Sequence, residues 1–203
     1  MPFDAFNHHR RPLRLRSYDY TLPGAYFVTI VTHGRQCLYG EVAAGAMRLN
    51  DAGCMVQTVW DELASYYPGV VTDAFVVMPN HIHGIVRLTG TLQSEPIDGQ
   101  PRGVEMPEGV EMPEGVGMPE GVEMPRGASS TISLPDVVHR FKSFTTHRYM
   151  TSVHELGWPA FEIRLWHHSY YDHIIRSDDA LTRIRAYIQT NPLRWGNDPE
   201  NTM

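Results

Sequence analysis

The chain has 203 residues, 42% of them hydrophobic, enough for one domain with a buried core and appendages. No apolar run reaches the length of a membrane span and the first residues lack the apolar core of a secretory signal. Cys37 and Cys54 fit neither a metal spacing nor a disulfide framework, so the expectation is a reduced, cytoplasmic protein with no membrane partner.

The net charge of −6 argues against a nucleic-acid partner only until it is located along the chain. Residues 91–127 hold eight acidic and two basic residues, the whole of the excess. The remainder is neutral with basic clusters, and such a body can hold a phosphate backbone.

In chain order, Arg10, Arg11, Arg14 and Arg16 crowd a short segment. They read either as an arm that contacts phosphates or as a solvated terminus. Residues 25–32 are β-branched and aromatic, with Tyr26, Val28 and Ile30 on one face and Phe27, Thr29 and Val31 on the other. Both faces are mainly apolar, which predicts an interior strand. A hairpin is expected around Gly40, with arms at residues 37–39 and 46–49. Asn50 caps a first helix whose buried face is Ala52, Val56, Val59, Trp60 and Leu63. Trp60 reads as core and not as a stacking platform for bases. Pro68-Gly69 stops the helix, and a strand is expected over residues 73–78.

After a break at Pro79-Asn80, residues 81–88 form a second strand that carries His81 and His83. Side chains alternate along a strand, so the two imidazoles point the same way. They are either a pair of metal ligands or two polar residues on a solvated sheet face.

Residues 103–126 are four hexapeptides of the type Gly-Val-Glu-Met-Pro-Glu. Rich in Gly, Pro and Glu, they cannot bury a core of their own, so residues 91–130 read as a disordered surface insertion. Ser133 and Asp136 make a capping-box pattern at the start of the next helix, with Pro135 in its first turn. Its buried face is Leu134, Val137, Val138, Phe141 and Phe144. Arg140 and Lys142 belong to a basic outer side that either lies along a phosphate backbone or is merely solvated. Residues 161–175 are dense in aromatics and histidines and read either as a base-stacking surface or as a strand on the core edge. Ser177 caps the last helix, which must end near Asn191 because Pro192 comes next. Leu181, Ile184 and Ile188 form its buried stripe. Tyr187 and Asn191, four residues apart, lie one above the other at its margin.

Six segments taken together resemble the REP-associated tyrosine transposases, which are single-tyrosine HUH transposases, HUH standing for His, apolar, His. They are Tyr18-Asp19-Tyr20 leading to Tyr26-Phe27-Val28-Thr29, Met78-Pro79-Asn80-His81-Ile82-His83-Gly84, and Phe141-Lys142-Ser143-Phe144-Thr145. Tyr170-Tyr171-Asp172-His173-Ile174-Ile175-Arg176 and Tyr187-Ile188-Gln189-Thr190-Asn191-Pro192 complete the set. The resemblance implies an α+β, ferredoxin-like fold, an antiparallel sheet flanked by helices. Residues 18–90 and 131–196 would form the single HUH domain, with a basic arm at 1–17 and a tail at 197–203. It implies metal-dependent cleavage and joining of single-stranded DNA beside a hairpin; the sequence leaves monomer and homodimer both open.

By position, His81, His83 and Asn191 match the ligands of a divalent cation, Mg²⁺ or Mn²⁺, and Tyr187 matches the nucleophile that forms a 5′-phosphotyrosine. His173 would orient a ligand from behind or be an ordinary structural histidine. Arg14, Arg16, Arg140, Lys142, Arg183 and Arg194 are candidates for DNA contact. The family usually has Gln-Arg where this chain has His167-His168, and it lacks the repeat. The rival expectations are a non-catalytic hairpin-DNA-binding protein that has kept the fold, and a metal-dependent hydrolase with no covalent step.

Overall fold

The computed structural model describes residues 18–90 and 132–201. The arginine arm, with Arg14 and Arg16, and the hexapeptide insertion lie outside the described residues. A four-stranded sheet is built from β1 (Gly24–Val31), β4 (Val70–Val77), β5 (His81–Leu88) and β6 (Tyr171–Ile175), in the order β4-β5-β1-β6. Every pairing is antiparallel. With α1 (Asp51–Tyr66) between β1 and β4, and α2 (Leu134–Leu156) between β5 and β6, the connectivity is the ferredoxin-like βαββαβ. A hairpin of β2 (Gly40–Ala43) and β3 (Ala46–Leu49) sits before α1, and α3 (Asp178–Thr190) comes after β6. The fold class is therefore the α+β arrangement that the sequence predicts.

Each face of the sheet has its own core. Tyr26, Val28, Ile30, Ile82 and Val86 pack under α1 and α2, against Val56, Trp60, Leu63, Val137 and Phe141. Phe27, Ile85 and Ile175 point the other way and pack under α3 through Ile188, with Ile184 and Tyr187 at the margin. Gly84 is a fitted piece of this construction. A Cβ there would stand 2.4 Å from the Trp60 ring, which stacks on Phe75 at 4.3 Å. The bare backbone lets the indole lie against β5, directly behind the two histidines.

Local signals explain the helix ends. Asn50 Oδ1 accepts from the Gly53 N–H at 2.9 Å. Ser133 and Asp136 form the reciprocal capping box, and the Ser177 hydroxyl accepts from the Ala180 N–H. Gly157 ends α2 in the left-handed region.

Two expectations need correction. The first arm of the hairpin begins at Gly40 instead of ending before it, because the turn is made at Ala44 and Gly45, both at positive φ. The strand expected at 73–78 starts earlier, at Val70, and passes through an irregularity between Thr72 and Phe75. That interruption hid the strand's first residues from a strict period-two pattern.

Candidate active site

The site is assembled on the α3 face of the sheet. Pro79-Asn80 reverses the chain between β4 and β5. The turn is pinned by the Thr32 N–H to the Asn80 carbonyl at 2.8 Å and the Tyr39 N–H to the Pro79 carbonyl at 3.1 Å. His81 and His83 therefore leave β5 on one face, opposite Val31 and Thr29 of β1. Both are buried.

Their outer nitrogens are engaged. His81 Nδ1 donates to Asn80 Oδ1 at 2.8 Å, and His83 Nδ1 bonds the Thr29 hydroxyl at 2.8 Å. The amide orientation of Asn80 is fixed because its Nδ2 donates to the carbonyls of Glu200 at 2.7 Å and Arg35 at 3.3 Å. The His81 proton is thereby held on Nδ1, and the two Nε2 atoms converge at 3.1 Å. Burial pushes both imidazoles down to about 3; for His83 its neighbour His81 adds to this, against a smaller opposing pull from the Asp198 carboxylate. Neutral rings with both Nε2 atoms facing one point are the form in which histidine binds a cation.

The last helix and the turn after it close the site. α3 ends at Thr190, and a 3₁₀ turn, Asn191–Asn197, continues from it with Pro192 in its first turn. Tyr187 stands over Phe27 and His83, its hydroxyl 3.4 Å from His83 Nε2. Burial raises the phenol's pKa and the Asp198 charge raises it further, while Asn191 and Arg194 pull the other way. Asn191 is buried. Its Nδ2 donates to Asp198 Oδ2 at 3.3 Å, and its Oδ1 has no hydrogen-bond partner among the described residues.

Sequence reasoning missed two members of this cluster. Asp198 is buried, 3.9 Å from His81 Nε2, and its ligand atoms and those of the two histidines all lie within 4.8 Å of one another, a group able to hold a metal ion. The orphaned Asn191 carbonyl supports the same reading, since an amide oxygen facing a cation needs no hydrogen-bond donor. The donor set of two imidazoles and one carboxylate fits a divalent cation. Asn80 is the second omission, the residue that orients His81 and ties the 198–201 segment to the sheet.

The other candidates lie apart, except Arg194, whose charge acts on the Tyr187 phenol. His173 is exposed on β6, across from Phe27, with β1 between it and β5. Arg140 Nη1 donates to the Tyr67 hydroxyl at 3.0 Å and the guanidinium covers that ring. Lys142 Nζ donates to the carbonyls of His167 at 2.9 Å and Ser169 at 3.1 Å, so the ammonium organises the loop before β6. Arg183 and Arg194 are exposed on α3 and in the 3₁₀ turn.

An uncharacterized protein of Haemophilus influenzae is 33% identical to this chain over 197 residues, which span 97% of this chain and 95% of that protein. The two belong to one family. No family model matches the chain. Among solved structures, a REP-associated tyrosine transposase bound to a REP hairpin superposes with a TM-score of 0.52 over 90% of this chain and 75% of that one. At 16% identity the likeness establishes a shared fold. No helix among the described residues is long and apolar enough to cross a membrane.

Proposed function

We propose that this chain is a REP-associated tyrosine transposase of the HUH kind, a metal-dependent enzyme that nicks and rejoins single-stranded DNA beside a hairpin. The observation that carries the reading is the convergence of the His81 and His83 Nε2 atoms, the buried Asp198 carboxylate and the Tyr187 hydroxyl. The shared fold supports it, and the DNA hairpin is taken over from the transposase of that fold.

His81, His83, Asn191 and Asp198 would hold the cation, which when bound draws charge from a phosphate oxygen and steadies the developing negative charge. Tyr187 is the nucleophile. Its oxygen forms a bond to the scissile phosphorus as the bond from phosphorus to the 3′-oxygen breaks. The phenolic proton lost from Tyr187 is matched by one gained at the departing 3′-oxygen. The product is a 5′-phosphotyrosine and a strand with a free 3′-hydroxyl, and attack by another 3′-hydroxyl reverses the step without ATP. A phenol titrates near ~10 in water, and the pocket raises it further, so the phosphate must be strongly activated for attack at neutral pH. Asn80 and Thr29 keep the imidazoles aimed, and the α3 backbone keeps Tyr187 within reach of them.

The test is incubation with labelled hairpin DNA carrying a single-stranded flank, with Mn²⁺ or Mg²⁺, read on a denaturing protein gel. The expected result is a metal-dependent covalent adduct that vanishes in Tyr187→Phe. Cleavage without an adduct would replace the transposase with a hydrolase. Tight binding with neither would leave a hairpin-binding protein.

A further inference from the structure

Beside the histidine pair a cleft of about 620 Å³ opens over β1 and the segment leading into β6, bounded in part by Thr29, Val31, Arg35, His167, Tyr171 and Glu200. Its volume lies within the ~300–1,000 Å³ of small-molecule sites. Thr29 belongs to both places, since its hydroxyl bonds His83 Nδ1 while it lines the cleft.

The walls are held in place. Lys142 gathers the carbonyls of His167 and Ser169, and His167 Nδ1 accepts the Ser169 N–H at 3.3 Å. On the other side, Arg35 keeps a left-handed φ of 55°, unusual for a residue with a side chain, and its carbonyl is tied to Asn80. Its Nε meets Glu200 Oε2 at 2.9 Å with the side chain 47% exposed. A guanidinium carries five N–H donors, so an anion in the cleft can be bound in addition. Tyr171 is 51% exposed, an aromatic face on an edge strand.

Direction decides what sits there. Tyr187 reaches His83 from α3, over Phe27. The cleft lies toward Val31 and the loop before β6. In phosphoryl transfer the attacking and leaving oxygens are in line on opposite sides of phosphorus. We propose that the cleft seats the nucleoside on the departing side of the cut, the one that keeps the 3′-hydroxyl, with its base against Tyr171 and its own 5′-phosphate against Arg35. The inference rests on the tyrosine chemistry proposed above and adds to it the place of the released strand.

The probe is a hairpin oligonucleotide whose single-stranded 3′ end carries 5-iodo-2′-deoxyuridine and a free 3′-hydroxyl. A series moves that end one nucleotide at a time. Each is photocrosslinked to the full chain in Mn²⁺, and the modified peptide is mapped by mass spectrometry. The expected crosslink falls on the peptide carrying Tyr171 and peaks at one 3′ end. Tyr171→Ala lowers the yield about tenfold, the loss of one stacked base. Tyr171→Phe restores it, and Tyr66→Ala, on an exposed tyrosine of α1, leaves it unchanged. A crosslink on α3 or α2, equal yields along the series, no crosslink at all, or indifference to Tyr171→Ala would each overturn the assignment. An adduct at Tyr187 with a crosslink elsewhere discards the cleft and keeps the tyrosine chemistry. A crosslink at Tyr171 with no Tyr187 adduct on uncut hairpin DNA discards the tyrosine chemistry and, with it, the departing-strand assignment, and leaves only a seat for single-stranded DNA in the cleft.

Discussion

Asn191 Oδ1 is buried and unpaired among the described residues, and leaving a buried acceptor without a partner costs ~1–3 kcal/mol. Such a cost is tolerated where the atom has another use, and the same amide donates through Nδ2 to Asp198, the carboxylate grouped with the two imidazoles. Asp198 changes the character of the cluster, because two neutral rings and an amide carry no charge of their own. Asp198→Ala is expected to weaken Mn²⁺ binding by at least about tenfold, the lower end of what even outer partners of metal ligands contribute. Isothermal titration calorimetry on the folded variant measures it, and unchanged affinity would remove Asp198 from the ligand set. The reason Asp198 escaped a reading of the sequence is physical. Helical periodicity links Tyr187 to Asn191 and stops at Pro192, so nothing in the pattern says that the chain turns back. The one available signal was an acid followed by Pro199, just past the aromatic Trp195. By contrast, strand alternation alone puts His81 and His83 on a common face, and their Nε2 atoms meet at 3.1 Å.

At the level of elements, the position of Tyr187 depends on how α3 is fixed to the sheet. Besides Ile188 and Ile184, the fixing comes from Arg185, whose Nε and Nη2 donate to the two Asp73 oxygens at 2.9 and 2.5 Å. This two-point pair joins α3 to β4. The hydrogen bonds from Arg185 hold the Asp73 carboxyl below its ordinary value of 3.8. Its contribution is therefore complete above that value and is lost as pH falls through the depressed folded pKa, where the unfolded chain binds the proton first. Thermal melts across the acid range should show α3 loosening in that window, and Asp73→Asn should lower the melting temperature at neutral pH while flattening this part of the acid slope. A parallel acid slope in the variant would deny the pair its role. The elements themselves were legible where caps and periodicity agree, as at Asn50, Ser133 and Ser177. The hairpin was misplaced because Gly40 looks like a turn glycine, and its φ of 126° serves another purpose: a Cβ there would stand 2.0 Å from the Arg48 carbonyl oxygen. The glycine permits close strand approach, while Ala44-Gly45 makes the turn.

For the whole molecule, the two-sided apolar pattern of β1 correctly predicted an interior strand, and the ferredoxin-like order results once β5 and β6 flank it. Charge is a property of the whole as well. Excising residues 103–126 removes six glutamates and Arg126, taking the formal charge from −6 to −1. Binding to hairpin DNA at low ionic strength is expected to tighten in the excised chain, with the difference fading as salt screens it. Equal affinity at low salt in a filter-binding titration would show that the acidic repeat exerts no field at the DNA.

The connection that carries the repeat joins Leu88, the end of β5, to Leu134, the start of α2. Closure entropy grows only with the logarithm of length, so roughly halving this connection by removing all four hexapeptides changes the free energy of folding by about 0.6 kcal/mol. Adding or deleting whole hexapeptides therefore registers weakly in stability, so the length of this connection can change while the strands and helices on either side keep their fold.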